Sequence, residues 1–293
     1  FKNIFTITYV YSKLKYKRCN MSGAWPGNTK CIVVLTFDID GVSGAINVNP
    51  DSTKFPGLMS LREYGPSVAT PRILKMLEEN DVPATFYIPG YVAETHKDLI
   101  KLIASKGHEI GHHGYMHEPP KTLSKKEEAD VLDKGSKIIQ DITGEKPKGY
   151  RAPGAELSEH TLDLLSERGF FYDSSLMGDD IPYLIKSNNG EIVEVPFHWE
   201  MVDVAYYNYA PSLGLRQFMA TQDHLYQVWA TSFDAAYHYG LSIVPVMHPY
   251  VIGKPGRLRT LERLIKYFKT LPHVKFMRAI DIAYLLKDKS III

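Results

Sequence analysis

The sequence predicts an α/β fold, a single (β/α) barrel of parallel strands, and three observations lead there. Short β-branched apolar runs recur along the chain. Stretches of helical period separate them, and strands alternating with helices require parallel pairing through crossovers. At least seven such units fall between residues 31 and 287, which suits a closed barrel better than an open sheet.

The elements follow in order. "CIVVLTF" (31–37) is a buried strand, and the polar, Gly-rich "DIDGVSGAINVNPDSTKFPG" after it is expected to be a long loop of the kind that carries function. Thr70 caps a helix with Pro71 in its first turn, and Ile73, Leu74 and Leu77 share one face. "PATFYI" (83–88) is the next strand, followed by a helix over "AETHKDLIKLIASKG" that stops at Gly107. "HEIG" is a short strand, and "SKKE" at 124–127 has capping-box spacing for a helix reaching about Ile142. Further strands are expected near 149–151, 170–173, 191–195, 241–247 and 274–277. The matching helices lie near 158–168, 221–239, 258–270 and 279–287. There is no internal repeat or low-complexity linker, so residues 26–293 are read as one barrel domain. Residues 1–25 are read as a poorly ordered extension.

Charge is balanced, with 34 Lys+Arg against 33 Asp+Glu, so no global field favours nucleic acid or an acidic membrane. The two cysteines, Cys19 and Cys31, are too few for a disulfide framework and read as small buried hydrophobes. No apolar run reaches the roughly 18 residues of a transmembrane helix, and the first 20 residues make a poor signal peptide. A cytoplasmic protein is the expectation.

In such a barrel, polar residues just past the C-terminal ends of strands face the catalytic side. Asp38 and Asp40 follow the first strand, two apart, so both carboxylates can point to one side; the same pair also suits a simple turn. His113 and His117 share a face if their segment makes a helical turn, a common way to offer two imidazoles to one metal. A surface and a core histidine would leave the same spacing. His108 lies at a strand start and reads as structural, and His112 as packing or outer support. His248, Arg151 and Asp173 stand at three further strand ends, each with a bland alternative as a satisfied structural group or an ion pair.

Together these residues resemble the polysaccharide deacetylase family, the NodB-homology carbohydrate esterases, across roughly residues 31–287. "TFDID" is similar to its first motif, "HHGYMH" to its second, "RAPG" to its third, "YDSS" to a degenerate fourth and "VPVMHP" to its fifth. The resemblance implies a deformed barrel of seven or eight strands. It also implies a divalent metal, usually zinc, on Asp40, His113 and His117. Asp38 would be the general base and His248 the general acid, with Arg151 and Asp173 orienting or tuning these two.

Four features depart from the usual family pattern. Ile39 separates the aspartates, Gly114 replaces a hydroxyl residue, and the aromatic of the third motif and the tryptophan of the fourth are missing. "SLREYG" (60–65), "RIL" (72–74) and "FDID" resemble an intracellular branch containing cyclic imidases, metal-free allantoinases and a Helicobacter-type peptidoglycan deacetylase. The expected substrate is therefore an amino-sugar polymer bearing N-acetyl groups, or alternatively a small cyclic imide or ureide. A carbohydrate-binding barrel without catalysis is the reading from another class. Arg62 and Glu63 lie over the presumed site, where they could read a polar substrate or simply pair at the surface. The aromatic stretch 197–211 suits sugar stacking, a pocket wall or the subunit interface of a homo-oligomer, since the branch tends to be oligomeric.

Overall fold

The computed structural model describes residues 16–17, 25–216 and 218–287. Cys19 and nearly all of the N-terminal extension therefore lie outside the described residues. The strands are β1 (Tyr16–Lys17), β2 (Cys31–Val33), β3 (Thr36–Asp38), β4 (Thr85–Ile88), β5 (Glu109–His112), β6 (Gly149–Tyr150) and β7 (Tyr172–Asp173). They continue with β8 (Tyr183–Ser187), β9 (Gly190–Glu194), β10 (Tyr209–Ala210), β11 (Leu215–Arg216), β12 (Ser242–Ile243), β13 (Val246–Met247) and β14 (Val274–Phe276).

Among the described residues the main sheet runs β1-β8-β9-β7-β6-β5-β4-β3-β13, with a three-stranded sheet β12-β2-β14 at its base. From β13 to β9 every pairing is parallel. A bridge between Val202 and Val246 brings the chain that follows β9 back against β13, so the sheet curls into a deformed barrel. Pro245 separates β12 from β13, because proline has no N–H to give the ladder. Its carbonyl still accepts from the Thr36 amide and hydroxyl.

The register fixes where polar groups emerge. Phe37 lies opposite Met247, Asp38 opposite Tyr87, Ile88 opposite His112, His112 opposite Tyr150, and Tyr150 opposite Asp173. The residues just beyond these positions form one rim.

The stretch expected to be a loop after β3 is mostly helical: Ser43–Val48, a 3₁₀ turn at Pro50–Lys54, Pro56–Tyr64 and a π turn at Gly65–Ala69, which runs on into the expected helix, Thr70–Glu79. Pro50 and Pro56 sit in first-turn positions, as Pro71 does. Thr70 is accordingly not a cap. It lies within a continuous helical run, and its hydroxyl donates to the Gly65 carbonyl at 2.9 Å. The helix expected over 93–107 breaks at His96 into Gly90–Thr95 and Lys97–Ser105. The Ser124–Glu127 capping box is present, opening the helix Lys125–Thr143. The hairpin partner β8 has no counterpart in the expectation; the turn that joins it to β9 is the two-residue Asn188–Asn189.

Packing of the helical layer is dense. Phe233 and Phe268 stack at 3.9 Å between the helices Gln222–Tyr239 and Pro255–Phe268. Cys31 is fully buried, and burial pushes its thiol pKa up to about 12, as suits an inert core residue. No helix among the described residues is long and apolar enough to cross a membrane.

His108 sits at the opposite end of its strand from the rim. Its Nδ1 accepts the Ala84 amide at 3.2 Å and its ring meets Phe86 edge-on. Burial, followed by the nearby charges of Lys106 and Arg278, pushes its pKa down from 6.5 to about 4. The unfolded chain then takes up the proton first as pH falls. The stability contributed by the neutral ring is complete above about 6.5 and is lost on the way down to about 4. We expect His108→Asn to flatten this limb: in urea titrations at pH 7 and pH 4, wild type should lose about 2–3 kcal/mol more than the variant. Equal losses would mean that His108 does not titrate as described.

Candidate active site

Asp38 ends β3 and Asp40 follows two residues on, so both project from one side of the extended segment. Both are almost fully buried. The Oδ1 of Asp40 lies 3.6 Å from His113 Nε2 and 3.6 Å from His117 Nε2. Those separations are too long for hydrogen bonds, and this buried oxygen has no hydrogen-bond partner. A tetrahedral ion with bonds of about 2.0–2.1 Å spaces its ligands ~3.3 Å apart, close to what is seen. The three residues can offer ligand atoms that all lie within 4.8 Å of one another.

His113 follows directly from β5. Its Nδ1 donates to the Arg151 carbonyl at 2.7 Å, which leaves the Nε2 lone pair facing Asp40. His117 arrives differently from the expected helical turn. Residues 113–118 form a tight bend in which Gly114 and His117 have φ of 74° and 63°. The Glu118 carboxylate staples the bend by accepting the amides of Tyr115 and Met116 at 2.9 and 2.8 Å. Glycine at 114 thus answers a backbone requirement. Asn47, from the helix after β3, donates to the His117 carbonyl at 3.0 Å. Burial, opposed in part by Asp40, pushes the His117 pKa down to about 4, so the ring is neutral and its nitrogen is free to bind a cation. Burial also acts to raise the Asp40 pKa, but the surrounding imidazoles and Arg62 outweigh it and keep the carboxyl below its ordinary value. This donor set, two imidazoles and one carboxylate, fits a divalent ion.

Arg151 follows β6 and is 1% exposed. Its Nη1 donates to Asp38 Oδ1 and to Thr36 Oγ1, both at 2.8 Å. Its Nε and Nη2 donate to the carbonyl and hydroxyl of Ser174, and the guanidinium lies over the Tyr87 ring.

His248 follows β13, with Nε2 3.9 Å from Asp40 Oδ2. The carboxylate that holds it is Asp203, not Asp173. Asp203 Oδ1 accepts from His248 Nδ1 at 2.7 Å, and Oδ2 accepts the His248 amide at 2.8 Å. Burial opposes a charge on this ring, yet Asp203, Asp40 and Asp38 outweigh burial and push the pKa up to about 9. Asp173 instead accepts from the Ser175 hydroxyl, which in turn accepts the Ala152 amide beside Arg151. It buttresses the arginine from behind and makes no contact with His248. Asp203 stands in "EMVDVAYY", a stretch noticed for its aromatics. The usable signal was a lone carboxylate between two valines, which cannot be buried without a partner.

His108 and His112 lie outside the cluster. His112 Nδ1 accepts the Gly114 amide at 3.1 Å, and its ring packs so closely on the helix Lys125–Thr143 that a Cβ at Gly135 would come within 2.3 Å of it. Glu63 faces away, binding His96 Nε2 at 2.8 Å. Trp199 and Tyr209 are about half exposed, whereas Tyr207 is buried.

Residues 27–172 match the sequence model of a family described as polysaccharide deacetylase. A peptidoglycan deacetylase of Helicobacter pylori is 32% identical over 285 residues, covering 86% of this chain and 94% of that one. A protein of Mycobacterium smegmatis assigned as a polysaccharide deacetylase superposes with a TM-score of 0.90 at 34% identity, covering 94% of this chain and 96% of the other. An allantoinase shares the fold, with a TM-score of 0.77 at 24% identity over 92% of this chain and 97% of its own.

The Arg151–Asp38 pair yields a stability test. Arg151→Met leaves a buried carboxylate uncompensated and should cost about 3–5 kcal/mol in urea unfolding. Adding Asp38→Leu should recover a substantial part. A single variant as stable as wild type would show that the pair is not closed to water.

Proposed function

The chain belongs to the polysaccharide deacetylase family, and from that premise we propose that it hydrolyses N-acetyl groups from an amino-sugar polymer, with peptidoglycan as the polymer class. The observation that carries the reading is the orphaned Asp40 oxygen facing two imidazole nitrogens, with Asp38 and His248 beside it.

In this reading Asp40, His113 and His117 hold a divalent ion, and a set of two nitrogens and one oxygen suits zinc. When bound, such an ion polarises the amide carbonyl and lowers the pKa of its water. The remaining steps belong to the chain. Asp38 is the general base: Arg151 fixes one of its oxygens and so orients the carboxylate to take a proton as water adds to the acetamide carbon. His248 is the general acid. Asp203 engages Nδ1, which leaves the Nε2 proton to pass to the departing nitrogen as the C–N bond breaks. The nitrogen must be protonated to leave, because an amide anion is a very poor leaving group. The products are acetate and the free amine. Asp173 acts at one remove, through Ser175 and the backbone that carries Arg151.

The test is metal content paired with acetate release from an N-acetylglucosamine oligomer. Wild type should hold near one ion per chain and release acetate, and His113→Ala should lose both. Asp38→Asn and His248→Ala should keep the ion while kcat falls by about 10²–10⁴. Full activity of metal-free enzyme would sink the mechanism. Ring opening of succinimide without acetate release would sink the substrate assignment alone.

A further inference from the structure

The carboxylates at the cluster are all engaged. Arg151 holds Asp38, His248 holds Asp203, and Asp40 faces His113 and His117. One buried cation beside them has no such counterpart. Arg62, on the helix Pro56–Tyr64, is 7% exposed. Its Nε has no hydrogen-bond partner, and no carboxylate of the described residues comes within 4.0 Å of its guanidinium. It lies 4.1 Å over the face of Tyr250. Tyr250 in turn meets the His248 ring edge-on, with centroids 5.9 Å apart. This places the guanidinium on the side of the site where His248 stands, near enough for its field to reach Asp40. Glu63, the next residue, does not help, because it is turned toward His96 and Ser67.

A guanidinium cannot shed its proton to escape burial. An aromatic face relieves a buried cation only in part, and a divalent ion on Asp40, His113 and His117 would add repulsion. Two more cations, Lys254 and Arg257, likewise have no carboxylate of the described residues within 4.0 Å. Lys254 lies 3.7 Å over the Tyr64 ring, and Arg257 lies 3.9 Å over the Tyr207 ring. Asp40 and Asp203 act on these cations only from a distance, and no carboxylate of the described residues pairs with them, so the charge is placed for an anion that arrives.

We propose that Arg62 is a specificity residue, its guanidinium gripping a carboxylate that the substrate carries next to the acetamide to be cleaved. The preferred substrate is then an acidic N-acetylated glycan rather than a neutral one, a conclusion that rests on the deacetylase reading. A planar guanidinium suits this task, since it can meet both carboxylate oxygens at once.

Two probes that differ by one charge make the test: the disaccharide of N-acetylglucosamine and N-acetylmuramic acid, and the same disaccharide with its lactyl carboxylate converted to the carboxamide. Metal-loaded wild type should favour the acid at least tenfold in kcat/KM, mainly through KM. Arg62→Met should bring that ratio close to one, and Arg62→Lys should recover part of it. A purely structural role would lower both values together and leave the ratio intact, which would overturn the proposal. So would a wild type that does not discriminate. If wild type releases acetate from neither probe, the deacetylase reading fails, and calorimetric binding of the two probes then decides the anion claim separately. Tighter binding of the acid that is lost in Arg62→Met upholds it, and equal or absent binding ends it. Should Arg62→Met fail to fold, Arg62→Lys carries the same comparison, with a reduced ratio expected and an unchanged one overturning.

Discussion

The site depends on one buried guanidinium. Arg151 emerges at the end of β6, and its side chain crosses the barrel to Asp38 and Thr36 on β3 and to Ser174 just past β7. Its own carbonyl takes the Nδ1 proton of His113. One residue therefore sets a carboxylate with its side chain and a histidine tautomer with its backbone. Such an ion pair is weak evidence for net stability, because removing two charges from water roughly cancels their attraction. Its value is positional: Asp38 has an anchored oxygen, and His113 cannot present the wrong nitrogen.

The rim follows from register. Asp38, His113, Arg151, Ser174 and His248 come from separate strands, and parallel pairing aligns the ends of those strands within about a residue. Parallel strands alone bring every carboxyl terminus to the same side of the sheet, and the helices that return the chain fill the outer layer. The hairpin β8–β9 breaks the pattern. It adds an antiparallel edge where the barrel opens, and the Val202–Val246 bridge closes that gap. Asp203 follows that bridge by one residue and reaches His248 from there. The least regular seam of the barrel thus supplies the partner of the histidine read as the acid.

How much of this the sequence discloses depends on whether the information is local. The strands within 31–38, 85–88 and 242–247 lie in buried, mainly apolar runs and are readable from composition. The Ser124–Glu127 cap is readable for the same reason, since both partners lie within one turn. Asp38, Asp40, His113, Arg151 and His248 could be placed at strand ends because the alternation fixed the strands first. What stayed hidden was pairing across distance. Asp173 and Asp203 are each a single aspartate near a strand end, and nothing local says which will face residue 248. The bend at 113–118 was equally closed to a spacing argument. A four-residue interval fits a helical turn, but Gly114 and Glu118 impose a left-handed backbone and a carboxylate staple instead.

That bend also sets a difference between the two imidazoles. His113 directly follows one sheet strand and is tied to the end of a second through the Arg151 carbonyl, so its position is fixed before any ion arrives. His117 sits on a loop, and its restraints are the Glu118 staple, a strained backbone angle and the Asn47 contact at its carbonyl. Asn47 belongs to the helical run after β3, which also carries Arg62 on its next helix. The same segment therefore holds one wall of the ion site through its backbone and presents the unpartnered cation beside it. One stretch of chain thus touches both the His117 bend and the buried guanidinium, the stretch whose Gly-rich composition made it look like a plain loop.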